Sequence, residues 1–431
     1  MKKYISILAV IAIVNITAWG QPNVVPAKSQ TRTIAISGAT IHIGNGQVIE
    51  GGTVVFSQGR IVSVSPGKNI PSGDVVVIDA TGKHVYPGII APITNLGLAE
   101  IAMVKSTVDY RELGEWNPHV RTIIAYNTDS KAIPVVRSNG ILMAQVSPTG
   151  GTISGQSSIV QLDAWNWEDA AYRTDDGLHF NWPTESGNPA LSAEQARMNL
   201  EKTLSDFQKY MLEAKAYAEL GKADVVNARF ESLKGLFNGK KKAYVRAETG
   251  PDIIAAIRFF KSLGVTPVIV GGSDACSVAE FLKENSVPII LNQAHSLPEH
   301  VDDDVYMPAR QAACMQKAGV LYAISLEFVR DWGYLQLRNL PFEAGVAASY
   351  GISKEEALMS ITSNTAKILG IDQSVGTLEA GKDATLIVSA GDVLDPLTCD
   401  VQHAFIRGRT INLDNLHKQL YKKFSDKYEL K

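Results

Sequence analysis

The sequence predicts an α/β protein: a parallel sheet, open or closed into a (β/α)8 barrel, with a small β domain built from both chain ends. Three observations lead there. Period-two apolar runs broken by glycine turns fill residues 33–78, and the same texture returns at 376–413. Between them, from about 85 to 370, short apolar runs alternate with helical patterns. Strand–helix alternation over that length makes a parallel sheet, because each crossover helix must cover a sheet face.

The first segment stands apart. Lys2 and Lys3 precede the apolar run Ile5–Ile16, and Ala18-Trp19-Gly20 follow before Gln21. A charged start, a short apolar stretch and small residues at a cleavage point predict a signal peptide over 1–20. The run is well short of the ~20 residues a spanning helix needs. The expectation is an exported bacterial protein, periplasmic or extracellular, with no membrane contact after cleavage.

Residues 30–84 read as hairpins (TIAISGATIHIGNG, GGTVVFSQGRIVSVSPG, DVVVIDATG). Together with 371–413 they are expected to form one composite β-sandwich domain. Within 85–370, strands are expected at Ile141–Val146, Ala243–Val245, Pro267–Val270, Val287–Leu291 and Val320–Ile324. Helices are expected at 251–263, 275–284, 308–318 and 353–368. An insertion at about 163–222 interrupts the alternation. It opens with Trp165, Trp167, Tyr172, Phe180 and Trp182 among Asp, Asn, Gly and Pro. A helix from about Ser192 to Leu220 follows, apolar at Leu200, Leu204, Phe207, Met211, Ala214 and Ala218, with Ser192 and Gln195 placed for a capping box. Residues 414–431 are expected as a C-terminal tail.

Composition narrows the function classes. At 431 residues, 45% hydrophobic and 20% charged, the chain can bury a full core. A net charge of −3 excludes the broad basic field that recruits nucleic acid. Cys276, Cys314 and Cys399 form no C-x-x-C, which argues against a disulfide framework or thiol redox chemistry. Gly150–Ser157 is a near miss of a phosphate-cradling loop, with Gln156 where the lysine belongs. It reads as a glycine-rich turn.

Two longer motifs carry more. Residues 84–98 read HVYPGIIAPITNLGL, and 361–388 read ITSNTAKILGIDQSVGTLEAGKDATLIV. Together they resemble the amidohydrolase superfamily, specifically its imidazolonepropionase-like branch. There P-G-[LIF]-[IV]-D-x-H-x-H ends barrel strand one, and T-x-N-x-A-x-x-L-G…G-x-L-E-x-G-K-D-A-D-L marks the return to the β domain. Thr362, Asn364, Ala366, Leu369, Gly370, Gly376, Leu378, Glu379, Gly381, Lys382, Asp383 and Ala384 fit, while Thr385 stands where the family prefers Asp. The resemblance spans about 33–413. It implies a closed (β/α)8 TIM-like barrel and a hydrolase of carbon–nitrogen bonds other than peptide bonds, using zinc or another divalent metal.

The ligand positions depart from the family. Ala91, Ile93 and Asn95 stand for the Asp and two His. In H-x-H on a strand both imidazoles face one side and ligate one metal. Isoleucine cannot ligate, and a lone Asn carbonyl is a weak zinc ligand. The middle-strand positions read Tyr244–Glu248 and Val268–Gly272, and Gly319 to Glu327 places Glu327 at the catalytic Asp. Glu327 is therefore the expected catalytic carboxylate, with Asn95, Arg246, Glu248 and His295 as substrate-binding residues and no metal ligand assigned. Arg246 beside two carboxylates either binds a carboxylate or amide substrate or forms an ion-pair network in the space the metals vacate. Two readings follow. One is a hydrolase of small amide-type molecules with a reduced metal site. The other is a non-catalytic barrel that binds a small molecule or pairs with an active relative. A homo-oligomer is compatible with both.

Overall fold

The computed structural model describes residues 25–429 apart from 102, 186–190, 222–224, 299–300 and 327–332. The expected signal peptide and Glu327 lie outside the described residues. β1 (Thr33–His42), β2 (Val48–Ser57) and β3 (Arg60–Ser65) form an antiparallel meander. β4 (Val75–Asp79) and β5 (His84–Pro87) both run parallel to β1 on its other edge.

The chain then enters the barrel. β6 (Ile89–Thr94), β7 (Ile141–Val146), β8 (Ile153–Gln161) and β9 (Ala171–Asn181) are followed by β10 (Lys242–Ala247), β11 (Pro267–Gly271), β12 (Ile289–Leu291) and β13 (Tyr322–Ile324). Their order in space is their order in sequence. All neighbours are parallel except β8, which runs antiparallel to both β7 and β9. The sheet is nearly closed. At the seam, the Ile90 N–H donates to the Ile361 carbonyl at 2.9 Å, just before the Ser363–Leu369 helix.

Period-two geometry sorts the strand residues into two layers. Ala243, Val245 and Ala247 of β10 join the outer core beneath the helices, whereas Tyr244 joins the barrel interior. That interior holds Ile90, Met143, Val268, Ile290 and Ala323, and Ala366, Ile368 and Leu369 of the Ser363–Leu369 helix pack against it. The helix is a floor for the barrel.

The insertion begins later than the sequence suggested. Residues 171–181, read as part of an aromatic excursion, are barrel strand β9, with Leu178 and Phe180 buried outward among the helices. Only after Trp182 does the chain leave the sheet, returning through the Ala193–Glu219 and Ala228–Phe237 helices. The capping box forms as the sequence predicts: the Gln195 N–H donates to the Ser192 hydroxyl at 3.2 Å, and the Ser192 N–H to Gln195 Oε1 at 3.0 Å. The helix expected over 353–368 is two, Lys354–Ser360 and Ser363–Leu369. They part where Thr362 leaves the helical region at φ −131°, ψ −93°.

β14 (Leu386–Ser389) then pairs antiparallel with β5, and β15 (Val401–Ile406) and β16 (Arg409–Thr410) extend that edge. Both chain ends thus share one eight-stranded sheet. It curls until Gly59 and Ile61 of the β2–β3 turn bond Ala384, Lys382 and Gly381, enclosing a core of Ile36, Ile41, Phe56, Leu386 and Phe405. The expected C-terminal tail, 414–431, contains a helix, Leu416–Tyr428.

Candidate functional site

The strands point their C-terminal ends, apart from that of β8, toward one face of the barrel, where enzymes on this fold place their chemistry. β10 delivers two charged groups there. Tyr244, Arg246 and Glu248 fall two residues apart and so share the inner side of the strand. Arg246 and Glu248 form an ion pair at 3.6 Å. Glu248 is held from the other side: its Oε2 accepts from the Ser273 N–H at 3.1 Å, the Ser273 hydroxyl at 2.9 Å and the Asn292 amide at 3.4 Å. Gly271, at φ +91°, makes room, since a Cβ there would stand 2.1 Å from Glu248 Oε1.

His179 of β9 completes the cluster. Its ring stacks on Tyr244 with centroids 4.9 Å apart, and among the described residues its buried Nε2 has no hydrogen-bond partner. Burial, reinforced by the Arg246 charge, lowers its pKa to about 3, so the imidazole is neutral at ordinary pH. His179, Ser154, Asn181 and Arg246 surround a cavity of about 30 Å³. Asn181 also lines a groove of about 320 Å³ beside Trp182 and Leu200 and Thr203 of the Ala193–Glu219 helix. The polar cavity therefore opens beside a roomier, partly apolar one.

Deeper inside lies a buried polar layer. Asp176 accepts from Gln145 Nε2 at 2.7 Å, the Ser157 hydroxyl at 2.9 Å and the Tyr244 hydroxyl at 3.1 Å. Burial raises its pKa despite these donors, and it pushes the Tyr244 phenol well above its ordinary value. The layer separates mouth from floor.

The remaining expected residues are dispersed. Ile93 is buried in the barrel interior, with its backbone at φ +48° where the β6–β7 register breaks. That is an unusual conformation for a β-branched residue. Asn95 is half-buried just beyond, and its carbonyl accepts from the Leu98 N–H at 3.0 Å in a tight turn. His295 is drawn away: its N–H donates to Glu343 Oε2 at 2.8 Å, and its side chain lines a separate cavity of about 770 Å³ with Phe342, Lys354 and Asp392. Burial raises the Glu343 pKa against the opposing pull of the His295 N–H. Of the Gly150–Ser157 segment, expected as a turn, Ile153–Ser157 is the start of β8, and the Thr152 and Ile153 N–H groups are both engaged by Glu115. Gln156, in the lysine's place, takes a hydrogen bond from Lys241.

Donor chemistry decides whether a divalent metal suits this mouth. Ile93 offers no ligand, Arg246 brings a positive charge, and Glu248 Oε2 is already engaged. Among the described residues, no three His, Cys, Asp or Glu side chains are grouped to hold a metal ion. Ile93 thus lacks the donor that the strand-one motif carries in the family.

Comparison with known proteins places the fold. Residues 249–411 match the Amidohydrolase family. Imidazolonepropionase from Symbiobacterium thermophilum is 25% identical over 385 residues, covering 79% of this chain and 84% of its own length. The chain is therefore similar to the amidohydrolase superfamily, with the family match confined to residues 249–411. A further relative, Amidohydrolase tasK of Hapsidospora irregularis, is 23% identical over 404 residues, covering 81% of this chain; the chain spans only 39% of that protein. The crystal structure of an amidohydrolase from Thermotoga maritima MSB8 superposes with a TM-score of 0.75 at 24% identity, over 88% of this chain and 99% of its own. That likeness shows the same fold, barrel and β domain, across most of this chain.

Proposed function

We propose that the protein is an exported superfamily member whose barrel mouth binds a small amide- or carboxylate-bearing molecule. On this reading it cleaves carbon–nitrogen bonds other than peptide bonds slowly, by a route that bypasses a binuclear metal centre. The observation that carries the reading is Arg246, a guanidinium held at the mouth by Glu248 at 3.6 Å and bordered by the neutral His179. A guanidinium binds a carboxylate through two parallel hydrogen bonds and repels a divalent cation. Ser154 and Asn181 add polar contacts for the head of a ligand, and the groove beside Trp182 takes its body. Without a metal, an attacking water keeps a pKa near ~16 rather than ~7. Glu327 then acts as a weak general base, and turnover is slow.

The test is elemental analysis of the purified protein with an assay on acyl-amino-acid and cyclic-amide substrates. Expected are less than one equivalent of zinc, manganese or iron per chain, carboxylate binding that Arg246→Ala removes, and slow hydrolysis insensitive to chelators. Hydrolysis at ordinary enzymatic rates, above roughly 1 s⁻¹, that a chelator abolishes overturns the reading. The tight cavity of about 30 Å³ at Arg246 favours a second reading, a non-catalytic binder. It predicts the same binding with no turnover.

A further inference from the structure

The Leu416–Tyr428 helix contributes no residue to any of the three cores. No residue in it is buried, although its cap, Asn415, is: the Asn415 side chain accepts from the Lys418 N–H at 3.0 Å. The helix is firmly capped, and none of its residues is buried in a core of the described residues. Its apolar residues nevertheless fall on one side. Leu416, Leu420, Phe424 and Tyr428 recur every four residues, with Tyr421 beside them, and their exposures are 55%, 39%, 45%, 60% and 73%. Phe424 and Tyr428 stack with centroids 6.5 Å apart.

The charges on this helix are one-sided in sign. Lys418, Lys422, Lys423 and Lys427 stand against Asp426 alone, in a chain whose net charge is −3. Lys422 pairs with Asp426 at 2.9 Å. Lys423 and Lys427 border the apolar stripe and lie over the rings of Phe424 and Tyr428, at 5.7 Å and 5.0 Å. A strongly amphipathic, basic helix of low overall hydrophobicity is the form that lies in a membrane interface. No helix among the described residues is long and apolar enough to cross a bilayer, so the contact is interfacial.

Position supplies a second observation. Asp163 accepts from the Ala27 N–H at 2.9 Å, and it also pairs with Arg409 at 3.5 Å. The chain that follows the apolar run Ile5–Ile16 and the chain that leads into this helix therefore meet at one buried aspartate.

We propose that the Leu416–Tyr428 helix lies on an anionic phospholipid surface, its Leu and aromatic stripe at the acyl boundary and Lys423 and Lys427 among the headgroup phosphates. This departs from the expectation of no membrane contact after export. A second copy of the chain is a poorer occupant, because two such stripes face to face bring the bordering lysines together.

The experiment is flotation of the full chain with phosphatidylglycerol-containing vesicles. Wild type should bind, more weakly as salt rises. Leu420→Asp with Phe424→Asp should lower the affinity at least about tenfold, since each buried apolar side chain contributes. Lys423→Gln with Lys427→Gln should lower it about 25-fold, at about fivefold per lysine. The thermal midpoint should stay unchanged in both, because no helix residue is buried. Equal vesicle binding by wild type and both double variants overturns the proposal. Self-association without vesicles, abolished by Leu420→Asp with Phe424→Asp, also overturns it and makes the stripe an interface between copies.

Discussion

The two ends of the barrel interior are built on opposite principles. At the floor, Ile90, Met143, Val268 and Ile290 close on Ala366, Ile368 and Leu369, with no ionisable group among them. At the mouth, Arg246, Glu248 and His179 crowd together with Ser154 and Asn181, and a polar layer around Asp176 divides the halves. The floor is stabilised by apolar burial, which tolerates no cavity. The mouth holds charges that must satisfy one another, so its residues trade stability for the capacity to exchange an internal partner for a ligand.

That contrast can be broken or sharpened by four measurements. The largest effect is expected at the floor. Leu369 is fully buried, and Leu369→Ala should cost about 2–5 kcal/mol in urea unfolding while carboxylate binding at the mouth persists. Loss of binding in parallel would show that floor and mouth are one unit. Next comes acid. The native pKa of His179, about 3, lies below the unfolded value of 6.5. The unfolded chain therefore takes up the proton first, and stability is full above about pH 6.5 and falls as pH drops toward 3. Between pH 7 and pH 4.5 the loss from this group should be about 2–3 kcal/mol, and it should vanish in His179→Gln. A pH dependence identical in the variant would remove His179 from the account.

Smaller effects should follow at the ion pair and beyond it. Arg246→Ala leaves Glu248 on Ser273 and Asn292 alone and should cost about 1–2 kcal/mol by chemical denaturation. It should remove carboxylate binding and lower stability more than it lowers any turnover. Ser192→Ala, at the cap of the Ala193–Glu219 helix, should cost about 0.5–1 kcal/mol. Because that helix walls the groove beside Trp182, its loosening should weaken ligand binding without moving the His179 titration.

Much of this architecture was legible in the sequence, and the exceptions have physical causes. Hairpin texture at both ends marks strands that share one sheet, and the motif over 362–384 leads back into it. The pairing of Arg246 with Glu248 follows from their separation by one residue on a strand. β9 was hidden because its inward residues, Asp176, Gly177 and His179, are those of a loop, and their burial depends on partners in β7, β8 and β10. The reversed direction of β8 was hidden for a similar reason: Gly150 and Gly151 read as a turn without revealing which strands they join. His295 looked like a mouth residue until Glu343, 48 residues further on, turned its backbone aside. Contacts of that range leave no local signature.

The junction of β5 with β14 matters for the chain's birth as well as its fold. Tyr86 pairs with Ile387 and Pro87 with Leu386, so partners made at the start of the barrel wait about 300 residues for each other. At roughly 5–20 residues per second of synthesis, that wait lasts on the order of half a minute. Throughout it, the edge of His84–Pro87 has no strand beside it, and its neighbours Val85 and Tyr86, buried in the finished protein, are uncovered. A nascent chain in this condition is a natural client for a holding chaperone. Truncations that remove the last strands should leave it aggregating while the barrel's own sequence is intact.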